Sequence, residues 1–201
     1  RRPELLDNYI ELFKIESQTG KIYCPGLDKW GRSIIVFDNT VQNTHSSNDH
    51  MNFLAWSLEF AIKQMIKENT ADKYVVFMNL KHFSLFNCPS FKETTETIQM
   101  LCNCYPERLG HCIAYCPPSV FKIVFNGLKS FIDPKTVSKI VFLSGDVSED
   151  SEIDKKMKNI IGDNWKVLTG AEQPVYQPHS SPGFNHETYW PTVIERMNNF
   201  Q

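Results

Sequence analysis

Apolar positions are arranged along this chain in two ways: stripes at helical spacing and short unbroken runs. Over Glu4 to Lys14, Leu5, Leu6, Tyr9, Leu12 and Phe13 share one helical face, and Ser17-Gln18-Thr19-Gly20 ends the run. His50 to Lys67 repeats the pattern at greater length, with Phe53, Leu54, Leu58, Ala61, Ile62 and Met65 as its buried stripe. The unbroken runs Ser33 to Phe37, Lys73 to Met78, His111 to Tyr115 and Lys139 to Leu143 read as strands, and Lys21 to Cys24 as a shorter one. Asp28-Lys29-Trp30-Gly31-Arg32 reads as a tight turn in which Gly31 takes a positive φ. Further helices are predicted from Ser90 to about Cys104, from Pro117-Pro118 to Phe131, and from Asp154 to Ile161. Proline suits a first turn, and Asp133-Pro134 breaks the second of these helices. Thr169 to Glu187, rich in Pro, Ser and Gln, is expected to lie irregularly on the surface, with a final short helix over Trp190 to Met197.

Strands alternating with helices are the mark of βαβ units, so the predicted fold class is α/β, with a mostly parallel sheet flanked by helices. Strands that are apolar throughout fit a sheet covered on both faces. Composition agrees with one domain: 201 residues, 41% hydrophobic and 12% aromatic. Lys and Arg number 21 against 23 Asp and Glu, a formal charge of -2. That balance argues against nucleic-acid binding through a bulk positive field and against a polybasic membrane anchor. No apolar run approaches the length of a membrane span. The opening Arg1-Arg2-Pro3-Glu4 suggests an excised domain.

The usual marks of α/β catalysis are missing. There is no Gly-x-Gly-x-x-Gly and no Walker loop, and Leu143-Ser144-Gly145 lacks the preceding glycine of a nucleophile elbow. No catalytic residue is assigned, and an enzyme is not expected. The cysteines stand at 24, 88, 102, 104, 112 and 116. Cys102, Cys104, His111, Cys112 and Cys116 form the best metal candidate, but the spacing is not that of a zinc knuckle. Cys102 and Cys104 diverge on a helix, and His111 and Cys112 alternate across a strand. The reading is therefore buried thiols acting as small hydrophobes, with no metal. Nothing near Cys88 in the sequence obviously activates it.

Three segments carry the functional information: Asn79-Leu80-Lys81-His82-Phe83-Ser84, Tyr105-Pro106-Glu107-Arg108-Leu109-Gly110, and Asp133-Pro134-Lys135-Thr136-Val137-Ser138-Lys139-Ile140. Together with Thr19-Gly20-Lys21-Ile22-Tyr23 and Asp28 to Arg32, their order resembles the CRAL-TRIO lipid-binding domain family, and within it the fungal-type phosphatidylinositol/phosphatidylcholine transfer branch. The resemblance implies residues 1–18 as the remnant of an upstream helical region, 19–168 as the lipid-binding domain, and 169–201 as an irregular extension with a short terminal helix. It implies an apolar pocket between sheet and helices, closed by a gate helix.

On that resemblance Glu107, Thr136 and Lys139 hold the lipid headgroup. Val120, Phe121, Val124, Phe125 and Leu128 line the acyl-facing side of the gate helix, with Lys122, Asn126 and Lys129 on its other side. The second segment reads Asn79-Leu80-Lys81-His82 where the family commonly has Asp-Leu-Lys-Gly. Tyr74-Val75-Val76-Phe77-Met78 lacks the small hydroxyl residues of phosphatidylcholine-binding members. The implied function is a monomeric, cytoplasmic, peripherally membrane-associated carrier of one phospholipid, phosphatidylinositol first, with no other cofactor and no nucleic-acid partner. Alternatives are a lipid-sensing or scaffolding module of a larger protein, or a carrier of a sterol, tocopherol or retinoid.

Overall fold

The computed structural model describes residues 9–43, 46–85, 90–170 and 179–200. Leu5, Leu6 and Cys88 lie outside the described residues. In chain order the elements are α1 (Ile10–Glu16), β1 (Ile22–Leu27), β2 (Ser33–Asp38), α2 (Ser47–Glu68), β3 (Tyr74–Asn79), α3 (Phe91–Cys104), β4 (Leu109–Tyr115), α4 (Ser119–Leu128), α5 (Pro134–Val137), β5 (Ile140–Leu143), α6 (Glu152–Ile160) and α7 (His186–Asn198). Short 3-10 helices follow β2, α4 and α6.

The strands form one five-stranded sheet in the order β1-β2-β3-β4-β5. β1 runs antiparallel to β2, with an irregularity between Tyr23 and Gly26, and all later pairings are parallel. Parallel strands laid down in one direction, joined by crossovers of the usual right hand, place α2, α3 and α4 on the same face of the sheet. α6 and the 3-10 helix Asp163–Thr169 cover the other face. There Ile34, Val36, Val75, Phe77, Ile113, Tyr115 and Leu143 pack against Met157, Ile160, Trp165 and Leu168.

Asp154 pins that second layer. It is fully buried and accepts from the Trp165 indole (2.8 Å), the Asp150 backbone N–H (2.9 Å) and Lys158 (2.8 Å). A buried carboxylate needs such donors, because desolvation otherwise penalises its charge. These bonds, led by that of Lys158, hold its carboxyl well below the usual range.

The C-terminal region departs from the expectation of a surface tail. Ser181 donates to the buried Asp38 (2.8 Å), its N–H bonds Thr19 O (2.8 Å), and Phe184 is buried. Gly20, at φ +72, leaves room for Phe184: a Cβ there would stand 2.5 Å from the ring. The terminal helix begins at His186 rather than Trp190, because Asn185 caps it by accepting from Glu187 N (3.0 Å). Pro191 sits inside this helix, and Trp190 and Val193 enter the core beside α2. The helix expected to reach Phe131 ends as α-helix at Leu128 and tightens into a 3-10 turn over Lys129–Phe131. Among the described residues no helix is long and apolar enough to cross a membrane.

Candidate functional site

The sheet face beneath α2, α3 and α4 is sealed at one end and loosely covered at the other. At β2, Ile35 is wholly buried under α2. Toward β5 the cross-strand rows read Val76–Cys112–Ile140 and Met78–Ala114–Phe142. These residues point to one face by the period of two. Ala114 is buried, but Val76, Met78, Cys112 and Ile140 are only half-buried and Phe142 is 36% exposed. α3 crosses on this side without a single fully buried residue. Burial pushes the Cys112 thiol up to about 12, yet the residue keeps accessible surface.

α4 spans this face through aromatic contacts. Phe125 and Phe121 meet Phe142 at centroid distances of 5.2 and 6.4 Å, and Phe83 meets Phe121 at 5.3 Å. Val120, Val124 and Phe125 are half-buried, and Leu128 is the one buried residue of the helix. Its outer side carries Lys122 and an Ile123 that is 71% exposed. Phe91 and Phe131 pair at 6.0 Å near its end, both largely in solvent.

The polar residues gather where β4 and β5 begin. Glu107 occupies a left-handed turn (φ 59) between α3 and β4. Its carboxylate meets Lys135 Nζ at 2.9 Å and Lys139 Nζ at 3.8 Å. Lys135, hydrogen-bonded to it, holds the Glu107 carboxyl below its ordinary value, and the lysine is raised in return. Lys139 is the more enclosed of the two lysines and directly precedes Ile140, where the apolar face begins. Thr136 is not bonded to this pair; Asp133, the cap of α5, accepts from its N–H (2.8 Å). Sequence reasoning missed Lys135 as the Glu107 partner, although it stands in the same Asp-Pro-Lys-Thr segment. It also missed Phe142, whose exposure depends on how α4 packs.

The remaining candidates separate. His111 faces the layer opposite Cys112 and accepts at Nδ1 from Arg32 (3.0 Å), while Cys112 touches the Met78 sulfur (3.7 Å). Among the described residues no three His, Cys, Asp or Glu side chains converge to hold a metal. Ser17 and His186 lie 3.0 Å apart, but the Ser17 hydroxyl donates to Lys14 O. Its one proton is thus committed elsewhere, so His186 is not placed as its base. Arg108 donates to Asp72 O (2.9 Å) and ties two loops.

Residues 17–162 match the family model of the CRAL/TRIO domain. A CRAL-TRIO domain-containing protein of Schizosaccharomyces pombe is 28% identical over 181 residues, covering 90% of this chain and 16% of that protein. The phosphatidylinositol transfer protein PDR17 of Saccharomyces cerevisiae is 23% identical over 192 residues, 93% of this chain and 49% of that protein. A solved structure described as the crystal structure of Sfh5 aligns at a TM-score of 0.48 and 17% identity, over 61% of this chain and 47% of that one. The chain spans about half the length of PDR17 and a smaller share of the other relative. With most of its sheet and crossover helices inside the matched region, the chain belongs to the CRAL/TRIO domain family of lipid-binding proteins.

Proposed function

We propose that the protein holds one phospholipid, phosphatidylinositol before others, between the sheet and α3–α4 and exchanges it with membranes. The observation that carries this reading is the half-buried apolar lattice of Val76, Met78, Cys112, Ile140 and Phe142 beneath crossover helices that do not seal it. Acyl chains are the chemistry that fills such a space. A two-chain lipid has roughly 30 methylenes, and hiding each from water contributes about 0.8 kcal/mol. A bilayer offers the same lipid nearly the same gain, so chain burial makes extraction close to neutral. Selection therefore falls to a few polar contacts at the headgroup.

Lys139 and Lys135, with Glu107 between them, supply a positive site for a phosphate and an acceptor for ring hydroxyls. Thr136, whose backbone N–H serves the Asp133 cap, offers its hydroxyl to the headgroup beside them. The absence of small hydroxyl residues on β3 disfavours a choline headgroup of the family type. PDR17, named as a phosphatidylinositol transfer protein, supports the same ligand. α4 serves as the movable cover, its Phe121 and Phe125 contacts to Phe142 breaking when lipid enters. The test is mass spectrometry of the organic extract after incubation with mixed-lipid vesicles. Phosphatidylinositol near one per chain is expected. A neutral lipid, or none, overturns the reading.

A further inference from the structure

α3 is packed unevenly along its length. Phe91, Ile98 and Tyr105 fall seven residues apart and so share one face. Phe91 is 60% exposed, Ile98 is half-buried, and Tyr105, which caps the C-terminal end, is 6% exposed. That end is fixed in the core beneath α2. Met100 and Leu101 pack against the core cluster, Tyr105 belongs to it, and the Tyr105 hydroxyl donates to Ala55 O (3.3 Å). The apolar face is thus anchored at one end and uncovered at the other.

Surface contacts hold the uncovered end. Glu93 closes the capping box of α3: its carboxylate accepts from Ser90 N–H (2.8 Å), and Ser90 Oγ accepts from Glu93 N–H (3.2 Å). The other carboxylate oxygen accepts from the hydroxyl of Ser47, the first residue of α2. Ser47 is exposed, and water competes for such a bond, so it stabilises the closed position only modestly. Phe91 stands edge-on to Phe131 at 6.0 Å and 73°. One turn on, Thr97 touches the Met51 sulfur (3.3 Å), but its single proton also faces Glu93 O (2.9 Å).

We infer that α3 is a second, hinged cover of the cavity, turning about Tyr105 and released when the Ser47–Glu93 and Phe91–Phe131 contacts part. This role rests on the lipid site proposed above. Lifting the N-terminal end of α3 widens access to the half-buried sheet rows without moving α4. Glu107 follows two residues beyond the hinge, so the cover and the headgroup site meet there. A 14-residue helix detached from its fold is marginal in water, so opening also frays α3 and exposes its amides.

The test is amide hydrogen exchange of the full chain, read by mass spectrometry, beside phosphatidylinositol transfer between vesicles. In the parent, peptides from the first half of α3 are expected to exchange faster than those ending at Tyr105. Ser47→Ala keeps the α3 capping box, and Ser46 still caps α2 by accepting from Asp49 N–H (3.4 Å). The variant is expected to speed exchange in α3 by about threefold or more, with α4 peptides unchanged, and to raise the transfer rate likewise. Phe91→Ala frees the other contact and is expected to act in the same direction. Uniform exchange along α3, or parental α3 exchange in both variants, overturns the hinge. Faster α3 exchange with parental transfer overturns its role as a cover. A parent that carries no phosphatidylinositol overturns the lipid reading, and with it the cover, while hydrogen exchange still decides the hinge.

Discussion

Phe125 stands edge-on to Phe142, their ring centroids 5.2 Å apart and their planes at 68°. This contact fastens α4 to an otherwise loosely covered edge of the sheet. Edge-to-face pairs contribute about 0.5–1.5 kcal/mol beyond area burial, enough to hold a cover shut and little enough to let it open. An aspartate at position 125 would lose the pair and would oppose entry of α4 into an apolar interface. Phe125→Asp is therefore expected to slow phosphatidylinositol transfer between vesicles by about tenfold or more, with little change in melting temperature. A parental transfer rate would remove α4 from the role of gate.

Lys139 and Lys135 share Glu107 but differ in enclosure, with side chains 18% and 70% exposed. A charge-assisted hydrogen bond from the enclosed lysine to a phosphate is worth about 1.5–3 kcal/mol. Solvent screens the exposed lysine, so its contribution is smaller. Lys139→Ala is expected to cut phosphatidylinositol loading by about tenfold or more, with Lys135→Ala several-fold milder. Extracted lipid measured per chain reads both. Equal loading in Lys139→Ala and the parent would sink the headgroup assignment.

The contrast between these two lysines also marks how far the sequence could be read. The four parallel strands were legible because each is an unbroken apolar run, and their parallel direction followed from the helices between them. The α4 stripe was legible as Val120, Phe121, Val124, Phe125 and Leu128, since helical spacing fixes a face. Which lysine is enclosed was not, because that depends on how α5 sets Lys135 and Lys139 around the Glu107 turn. That the Thr136 N–H closes the Asp133 cap shows only once α5 is formed. The C-terminal helix reads as starting at Trp190, while Asn185 caps it a turn earlier. Burial of the tail depends on Ser181 reaching Asp38, 143 residues away, which no local pattern announces.

Asp154 joins α6 to the 3-10 helix through Trp165, Lys158 and Lys166. Asp154→Asn keeps the shape but loses the charge and turns one acceptor into a donor facing donors. The expected result is a melting temperature lower by about 5 °C or more, as for other broken buried networks. The native carboxyl is depressed, so its contribution is present above the unfolded value near 3.9 and is lost as pH falls through the native one. The variant should therefore show a shallower loss of stability below about pH 4 than the parent. Identical melting curves for the two proteins at pH 7 and pH 3 would show that the network does not hold this layer.

Three histidines give a separate signature at higher pH. Burial is the leading cause that lowers His50, His111 and His186 below the ordinary value of 6.5. Each is therefore favoured neutral in the fold, and the unfolded chain takes up protons first as pH drops. Their contribution is fully present above about pH 6.5 and is lost as pH falls through the lower native values. His111 is the most explicit case. Arg32 stands at its Nδ1, Asp28 opposes through Arg32, and Lys139 adds a second positive neighbour. Protonation there would break a hydrogen bond that Arg32 uses to hold the strand beside Ile160 O. The melting temperature is expected to fall steadily between pH 7.5 and pH 5. His111→Asn, which keeps an acceptor near Arg32 without titrating, should flatten part of that slope while lowering stability little at pH 7.5. A parent protein whose melting temperature is level across this range would overturn the assignment of neutral histidines. An unchanged slope in His111→Asn would move it to His50 and His186.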